Sequence, residues 1–411
     1  MPGSKTTALV VIGAGYGDEG KGLLTDALAA PYGRDAVVVR FNGGAQAGHT
    51  VTLADGRRHI FHHVGSGAFA DAKTFLSRFF VANPMLLLPE LDDLAAKGVT
   101  PALALALDPE APVTTPWDMM LNQFAEVARG KGRHGSCGLG FGETLERSQH
   151  GEFLLTAAML RDAKTLPARL EAIRRRWVPA RLAALGLTPD DEQQALIGST
   201  AVTQRWLADL PAFLDAVEIA GIETLARARA VIFEGAQGLG LDQTRGAFPH
   251  VTRSNTGLKN VLALAGEAGL AELDVTYATR AYATRHGAGP LEHALPGPPA
   301  PGVKDATNID NPWQGTIRFG HLDLDALAGR IQDDLGDVSG SGVVMRHCLA
   351  MTCLDQMGES ATFVEGDVMR RASPEGLAAR AAQMVGAMGL VGSWGPTREG
   401  LGAVERLAKV G

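Results

Sequence analysis

The stretch Gly13-Ala-Gly-Tyr-Gly-Asp-Glu-Gly-Lys-Gly22 follows an apolar run, Leu9-Val-Val-Ile12, and Gly43-Gly-Ala-Gln-Ala-Gly-His-Thr50 follows a second, Val37-Val-Val39. Between them, residues 20–30 carry apolar side chains at helical spacing and stop at Pro31. Two buried strands therefore each break into a glycine turn, and the first turn opens a helix. In open α/β sheets, a turn at the carboxyl end of a strand that opens a helix is where phosphates bind.

Outward from this stretch the chain keeps the same grammar. Residues 8–12 and 36–41 read as strands, as do His59–Val64, Ala228–Phe233 and Leu273–Thr279. Val81–Leu88 and Ala102–Leu107 are short apolar runs beside prolines, and Leu91–Lys97 is helical in composition. Trp117–Arg129 reads as an amphipathic helix leading into the glycine-rich loop Gly130–Gly142. Leu160–Leu187 is helical, with Arg174, Arg175 and Arg176 as a solvated face, and Gln193–Leu225 continues as helices. Leu322–Leu335 and Ala378–Met388 are further helices, and Gly342–Leu349 with Met351–Asp355 gives a last strand and its turn.

Strands alternate with helices, and neither a repeat nor a clear linker interrupts them. The pattern predicts an α/β fold: one elaborated, P-loop-like domain over residues 1–411 with a large, mostly parallel central sheet flanked by helices. A helical insertion is expected at about 159–227. An irregular segment rich in Pro, Gly, Asn and Asp, about 295–318, is expected to be a substrate loop.

Composition narrows the class. The chain has 411 residues, 45% hydrophobic and 20% charged, enough for a sizeable core. Its formal net charge of −7 argues against a non-specific nucleic-acid binder, which needs a basic face. The three cysteines, Cys137, Cys348 and Cys353, have no metal-binding spacing and read as reduced thiols. No apolar run has the length of a membrane span. A soluble cytoplasmic protein is expected, with no nucleic-acid or membrane partner.

The first turn matches Gly15-x-x-x-x-Gly20-Lys21, but Gly22 stands where a phosphate loop carries a Ser or Thr on Mg²⁺. Its backbone N–H groups and Lys21 are suited to hold oxygens. Asp18 supplies a carboxylate beside them, which is repulsive to phosphate unless a cation lies between or it works as a base. A glycine turn with an exposed Asp18–Glu19 pair is the alternative. His49, in the second turn, has the chemistry to protonate or stabilise charge on a phosphate or carbonyl oxygen. Gln237, in the turn Glu234-Gly-Ala-Gln-Gly238, is a donor for the same oxygen.

Five motifs, in order, resemble the adenylosuccinate synthetase family: Gly17-Asp-Glu-Gly-Lys-Gly22, Gly43-Gly-x-x-Ala-Gly-His-Thr50, Phe233-Glu-Gly-Ala-Gln-Gly238, Pro249-x-Val-Thr-x-Ser-Asn-Thr256 and Thr284-Arg-x-Gly-Ala-Gly-Pro290. The resemblance implies a two-step ligation. GTP phosphorylates the 6-oxygen of IMP, and the amine of L-aspartate then displaces phosphate, with Mg²⁺ present. By the matching positions, Asp18 takes the proton from purine N1 and ligates Mg²⁺, with the Gly48 carbonyl as a second ligand. His49 acts as acid on the transferring phosphoryl group, Gln237 holds O6, and Lys21 neutralises phosphate charge. Gln46, Ser136, Cys137, Gln237 and Thr252 match purine-nucleotide positions. Gly20, Lys21, Gly22 and Thr50 match NTP-phosphate positions. Asp355, within Thr352-Cys-Leu-Asp355, and Ser393, Gly395 and Pro396 match the part that reads guanine; ATP is the alternative donor. Thr316 and Arg318 fall on the aspartate side. A homodimer is implied, with Arg147 as the candidate arginine reaching the partner's nucleotide phosphate.

Three departures bear on substrates. Cys137 replaces a phosphate-binding Thr, only Arg318 survives from an arginine-rich run, and Cys353 replaces a Lys beside the base reader. Asp355 to Ser393 is also shorter than in common bacterial members. A paralogue acting on another nucleotide, such as dGMP, or on another amine is the second reading. Viral members that act on dGMP usually carry Ser at the position of Asp18, so Asp18 favours a purine without a 2-amino group. A GTP-binding regulatory protein without ligase activity is the third reading.

Overall fold

The structure is a computed structural model and describes residues 6–99, 105–303 and 315–403. Its centre is a ten-stranded sheet. From one edge to the other the order is Leu401–Ala403, Leu390–Ser393, Val344–Thr352, Glu272–Arg280, Thr7–Gly13, Ala230–Glu234, Ala36–Arg40, Lys73–Leu76, Leu105–Leu107 and Glu218–Ile219. Every pairing is parallel except that of Leu401–Ala403 with its neighbour. Thr7–Gly13 lies in the middle, with Val10 opposite Phe233 on one side and Val275 on the other.

Both faces of the sheet are covered around its middle, so the strands Ala36–Arg40 and Ala230–Glu234 are buried along their whole length and Thr7–Gly13 along most of it. Val10 and Ile12 point into a core with Leu258, Val261 and Leu264 of the helix Leu258–Glu267, with Leu324, Leu327 and Ile331 of Leu324–Leu335, and with Leu377 and Ala381 of Pro374–Met384. Val11 points the other way, with Leu24 of the helix Lys21–Ala29, Ala278 and Ala350. Each such Val, Leu or Ile side chain contributes about 1.5–3 kcal/mol by burial. A separate core lies towards the Leu105–Leu107 edge. Trp117 and Leu121 of the helix Pro116–Arg129 meet Leu170, Trp177, Leu182, Trp206 and Phe213 of the helical arm there.

Several elements differ from the sequence reading. Val81–Leu88 is not an isolated apolar run. Asn83 caps a single helix, Pro84–Ala96, in which Pro84 occupies the permissive first turn. The helical reading of Gln193–Leu225 holds to Ala216 and again, as a 3₁₀ helix, from Ile222; between them Glu218–Ile219 is an edge strand. The arginine run is a π-helical turn, Ile173–Trp177, which widens the helix and buries Ile173 and Trp177. Val344–Thr352 is one continuous strand and is not the last. A hairpin, Ala361–Glu365 with Val368–Ala372, and the strands Leu390–Ser393 and Leu401–Ala403 follow it. Residues 304–314 of the expected substrate loop lie outside the described residues. Among the described residues no helix is long and apolar enough to cross a membrane.

The topology decides where chemistry can sit. Six neighbouring strands end, on the same side of the sheet, at Gly13, Arg40, Glu234, Arg280, Thr352 and Ser393. The segments that follow them contain Asp18, His49, Gln237, His286, Asp355 and Pro396.

Candidate active site

The loop after Gly13 is wound around its own side chain. Glu19 Oε1 accepts the N–H of Gly17 at 2.7 Å and of Gly15 at 3.1 Å. Lys21 Nζ donates to Glu19 Oε2 at 3.0 Å and to the Gly17 carbonyl at 2.7 Å, and both side chains are buried. A Cβ on Gly13 would lie 2.3 Å from Glu19 Oε2, so glycine is required for the carboxylate to fit. Glu19 is therefore inside the loop, not part of an exposed acidic pair. The Lys21 ammonium, expected to neutralise phosphate, is held by it.

Gly22 also has a steric reason. A Cβ there would lie 2.9 Å from the Thr50 carbonyl and 3.1 Å from the His49 backbone. The first turn of the helix is packed against the strand His49–Thr52, which leaves no room for a Ser or Thr.

Asp18 faces outward from the same loop. Its Oδ2 lies 3.1 Å from His286 Nε2, and its backbone carbonyl accepts from Arg280 Nε. Burial pushes its pKa up, but the His286 hydrogen bond and the positive charges of Arg280 and Lys21 outweigh it and hold the carboxyl below its usual range. Asp18 is thus a carboxylate at neutral pH.

His49 is fixed from behind. Its Nδ1 lies 2.6 Å from Glu234 Oε1, while Arg40 NH1 lies 3.1 Å from Glu234 Oε2. Ser66 donates its hydroxyl to Oε1 and its N–H to Oε2, the latter at 3.1 Å. Arg40 NH1 is also 2.6 Å from His49 Nδ1. Both contacts cannot be hydrogen bonds to a neutral ring. A bare Nδ1 would set its lone pair against the carboxylate, so the proton sits on Nδ1 and Glu234 is the acceptor. Burial, with Arg40 nearby, pushes the His49 pKa down to about 4 despite Glu234. Burial would raise Glu234, but His49 and Arg40 pull it down to about 2. His49 is therefore neutral at pH 7, and Nε2, buried and without a partner among the described residues, is the nitrogen left for a ligand.

The two turns are stapled together. Asn42 donates Nδ2–H to the Ala236 carbonyl at 3.0 Å and accepts the Ala236 N–H at 2.7 Å. The staple sets Gln237, at φ 57°, beside Gly43. Among the described residues, Gln237 Oε1, Gln46 Nε2 and Thr50 Oγ1 are buried without partners, as is His49 Nε2. Buried polar atoms are paired in the great majority of cases, so four orphans on two adjoining turns mark a ligand surface. Glu234, Asn42, Ser66 and Arg40 are the functional supports that sequence reasoning missed. The signal was present for Glu234 and Arg40, since each ends a buried strand in a charge.

Further along the strand ends, Thr352 Oγ1 donates to the Glu19 carbonyl at 3.2 Å, and its methyl packs on Gly20. The segment with Asp355 is thereby tied to the first turn. Asp355 is exposed, and partial burial raises its pKa. Cys353 adopts φ 61°. Ser393 Oγ donates to the Gly395 carbonyl at 2.8 Å, which shapes the turn before Pro396. Ser136 Oγ accepts from Asn122 at 2.7 Å, and burial pushes the Cys137 thiol up to about 11, so it is a neutral group. Thr252 is held by its N–H to the Leu241 carbonyl, 2.9 Å. Thr316 is exposed.

Arg147 corrects an expectation. It was the candidate for reaching a partner subunit, but its side chain is fully buried. Nε and NH2 bond Asp118 at 2.9 Å each, NH1 donates to the Phe153 carbonyl and NH2 to the Val113 carbonyl, both at 2.7 Å. A guanidinium so used ties the helix Phe141–Ser148 to its own chain.

Comparison with known proteins gives one family. A sequence model described as adenylosuccinate synthetase matches residues 10–327. The adenylosuccinate synthetase of Xanthomonas campestris pv. campestris (strain B100) is 33% identical over 307 residues, which are 72% of this chain and 67% of that protein. The match thus spans about two thirds of the relative. Among solved structures, the fully ligated adenylosuccinate synthetase of Plasmodium falciparum superposes with a TM-score of 0.72 at 17% identity, over 96% of this chain and 98% of that one. The succinoaminodeoxyadenylate synthetase of cyanophage S-2L, bound to dGMP and to dATP as an energy donor, gives 0.59 at 16%, over 97% and 95%. At those identities the structures speak to the fold alone.

Proposed function

The chain belongs to the adenylosuccinate synthetase family of C–N ligases, and on that premise we propose that it phosphorylates the 6-oxygen of IMP with GTP and joins the activated carbon to the amine of L-aspartate. The observation that carries this reading is the set of orphaned buried atoms, His49 Nε2, Gln46 Nε2, Gln237 Oε1 and Thr50 Oγ1, on turns beside an ionised Asp18.

In the first step Asp18 takes the proton from purine N1 and the electron pair moves to O6, which bonds to the terminal phosphoryl group of GTP as GDP leaves. A carboxylate of low pKa is a weak base. The transfer is therefore coupled to attack, while the Gln237 amide, turned over, donates to O6. His49 Nε2 faces the transferring group; with the first proton on Nδ1 it donates there only after taking up a second proton from solvent, and Glu234 stabilises the imidazolium so formed. In the second step the aspartate amine displaces the phosphate, with its carboxylates assigned to Thr316 and Arg318. Gln46, Ser136, Cys137 and Thr252 are assigned to the purine nucleotide. The N–H groups at Gly20, Gly22 and Thr50 are assigned to the NTP phosphates, and Asp355, Ser393, Gly395 and Pro396 to its base.

Mg²⁺ fits the donor set, because an ionised Asp18 and the carbonyl of the exposed Gly48 are hard oxygens that leave further positions for phosphate and water. When bound, it would supply charge neutralisation between the phosphates and Asp18. A homodimer is part of the same reading.

dGMP is the second reading for the acceptor, because the phage neighbour was solved with it. A single experiment separates the cases: mass detection of products from IMP, GMP and dGMP, each with GTP or ATP and aspartate. Aspartyl product from IMP with GTP supports the proposal. Product from dGMP alone replaces the acceptor, and no product with any of them overturns the ligation. Asp18→Asn is expected to lower kcat by at least about 10³-fold while NTP still binds.

A further inference from the structure

The geometry points to His286 as a positioning residue for Asp18: it holds Oδ2 and leaves Oδ1 as the oxygen that takes the purine N1 proton. The inference rests on the role proposed for Asp18. His286 Nε2 stands 3.1 Å from Asp18 Oδ2. The neutral Nε2–H tautomer and the imidazolium both offer this donor. Asp18 is gripped at both ends from one strand exit, its carbonyl by Arg280 and its carboxylate by His286.

A positioning group must itself be held, and His286 sits on a clamped turn. The strand Ala283–Arg285 pairs antiparallel with Arg318–Gly320, with Arg285 opposite Arg318. Arg318 NH2 donates to the carbonyls of Gly287 at 2.7 Å and Gly289 at 2.9 Å, on the residues just after His286. Arg285, buried, donates to the Pro290 carbonyl and to the His250 carbonyl, both at 2.8 Å. Gly287 and Gly289 take φ 70° and 106°, and a Cβ on Gly289 would lie 2.4 Å from Arg285 NH2. The turn therefore closes only with glycine at that point.

The same turn touches the glycine-rich loop. A Cβ on Gly135 would lie 2.9 Å from the Gly287 Cα, so the two backbones meet directly. Ser136 and Cys137, assigned to the purine nucleotide, are the next residues. The turn that carries His286 is thus in backbone contact with the loop assigned to the purine nucleotide.

The balance of the step is simple. The N1–H bond breaks, an O–H bond forms on Oδ1, and the pair left on the purine appears on O6. Oδ2 keeps its hydrogen bond from His286 throughout.

The test is steady-state kinetics of the ligation, with IMP, GTP and aspartate, for wild type, His286→Ala, His286→Gln, Asp18→Asn and the Asp18→Asn/His286→Ala double variant. Removing a group that orients a reacting carboxylate is expected to lower kcat about 10–100-fold in His286→Ala, with KM for IMP and aspartate within about threefold. His286→Gln, which keeps a donor at similar reach, is expected to recover most of that loss. In the Asp18→Asn background, His286→Ala is expected to add nothing, because it acts through Asp18. An active wild type with an undiminished His286→Ala overturns the positioning role alone. So does a loss that Gln fails to recover, or one that multiplies with Asp18→Asn. A wild type inactive on every purine nucleotide overturns the ligase reading and the inference together. Equal urea midpoints for wild type and His286→Ala separate a kinetic loss from a folding one.

Discussion

At the scale of single residues, the buried charges of the site compensate one another. Glu234 and Arg40 are both 0% exposed, and Glu234 also answers His49 and two donors of Ser66. Glu234→Gln leaves the Arg40 guanidinium without a counter-charge and sets an amide against Ser66 or His49. Breaking a buried pair from one side costs about 3–5 kcal/mol, so the urea midpoint is expected to fall accordingly. The pH dependence has a definite sign. Glu234 has a folded pKa of about 2, below its ordinary 4.5, so its contribution is complete above 4.5 and is lost as the pH falls towards 2. His49, depressed to about 4 from 6.5, acts in a higher window: stability falls as the pH drops from 6.5 to 4, where only the unfolded chain binds the proton. Neither effect was visible from sequence. His49 stood out because it follows a glycine turn, but nothing adjacent in the chain announces a partner 185 residues away.

Among elements, the helix Pro84–Ala96 shows how packing overrides a local reading. Its prolines suggest a break, yet Pro84 is at the first turn and Glu90 gives the helix a fixed docking point. Glu90 accepts the N–H groups of His62 at 2.8 Å, His63 at 2.8 Å and Val64 at 3.2 Å, the three residues that follow the strand Arg58–Phe61. Burial would raise its pKa, but His59, 3.9 Å away, and the bonds from His63 hold it far below the usual range. Glu90→Gln is expected to cost about 3 kcal/mol in denaturation at pH 7, because an amide presents only one oxygen to those donors. The deficit is expected to shrink below about pH 4.5, where wild type begins to lose the same charge. The strands after which function sits were legible, since each is an apolar run broken by glycine. The small edge strand Glu218–Ile219 and the π-helical turn were not, because both are imposed by neighbours and not by their own residues.

For the whole molecule, ten strands put every proposed catalytic group on one rim, and the parallel order was readable from the alternation of strand and helix. The helical arm on the far edge is a different matter. Its arginines pair with acids at the surface, Arg175 being 71% exposed beside Glu171. Arg175→Ala is expected to leave Tm within about 1 °C of wild type, since an exposed pair contributes at most a few tenths of a kcal/mol. The contrast with Arg147, indistinguishable from these arginines in sequence yet sealed against Asp118, shows why charge alone does not reveal an arginine's role. One consequence follows from the first loop. A turn built around an external anion is gathered by its ligand and loosens when the ligand leaves. Here the anion is Glu19, part of the chain itself, so the turn is already closed around a carboxylate before any ligand arrives. An arriving nucleotide meets a finished rim, and its affinity carries no penalty for freezing that rim in place.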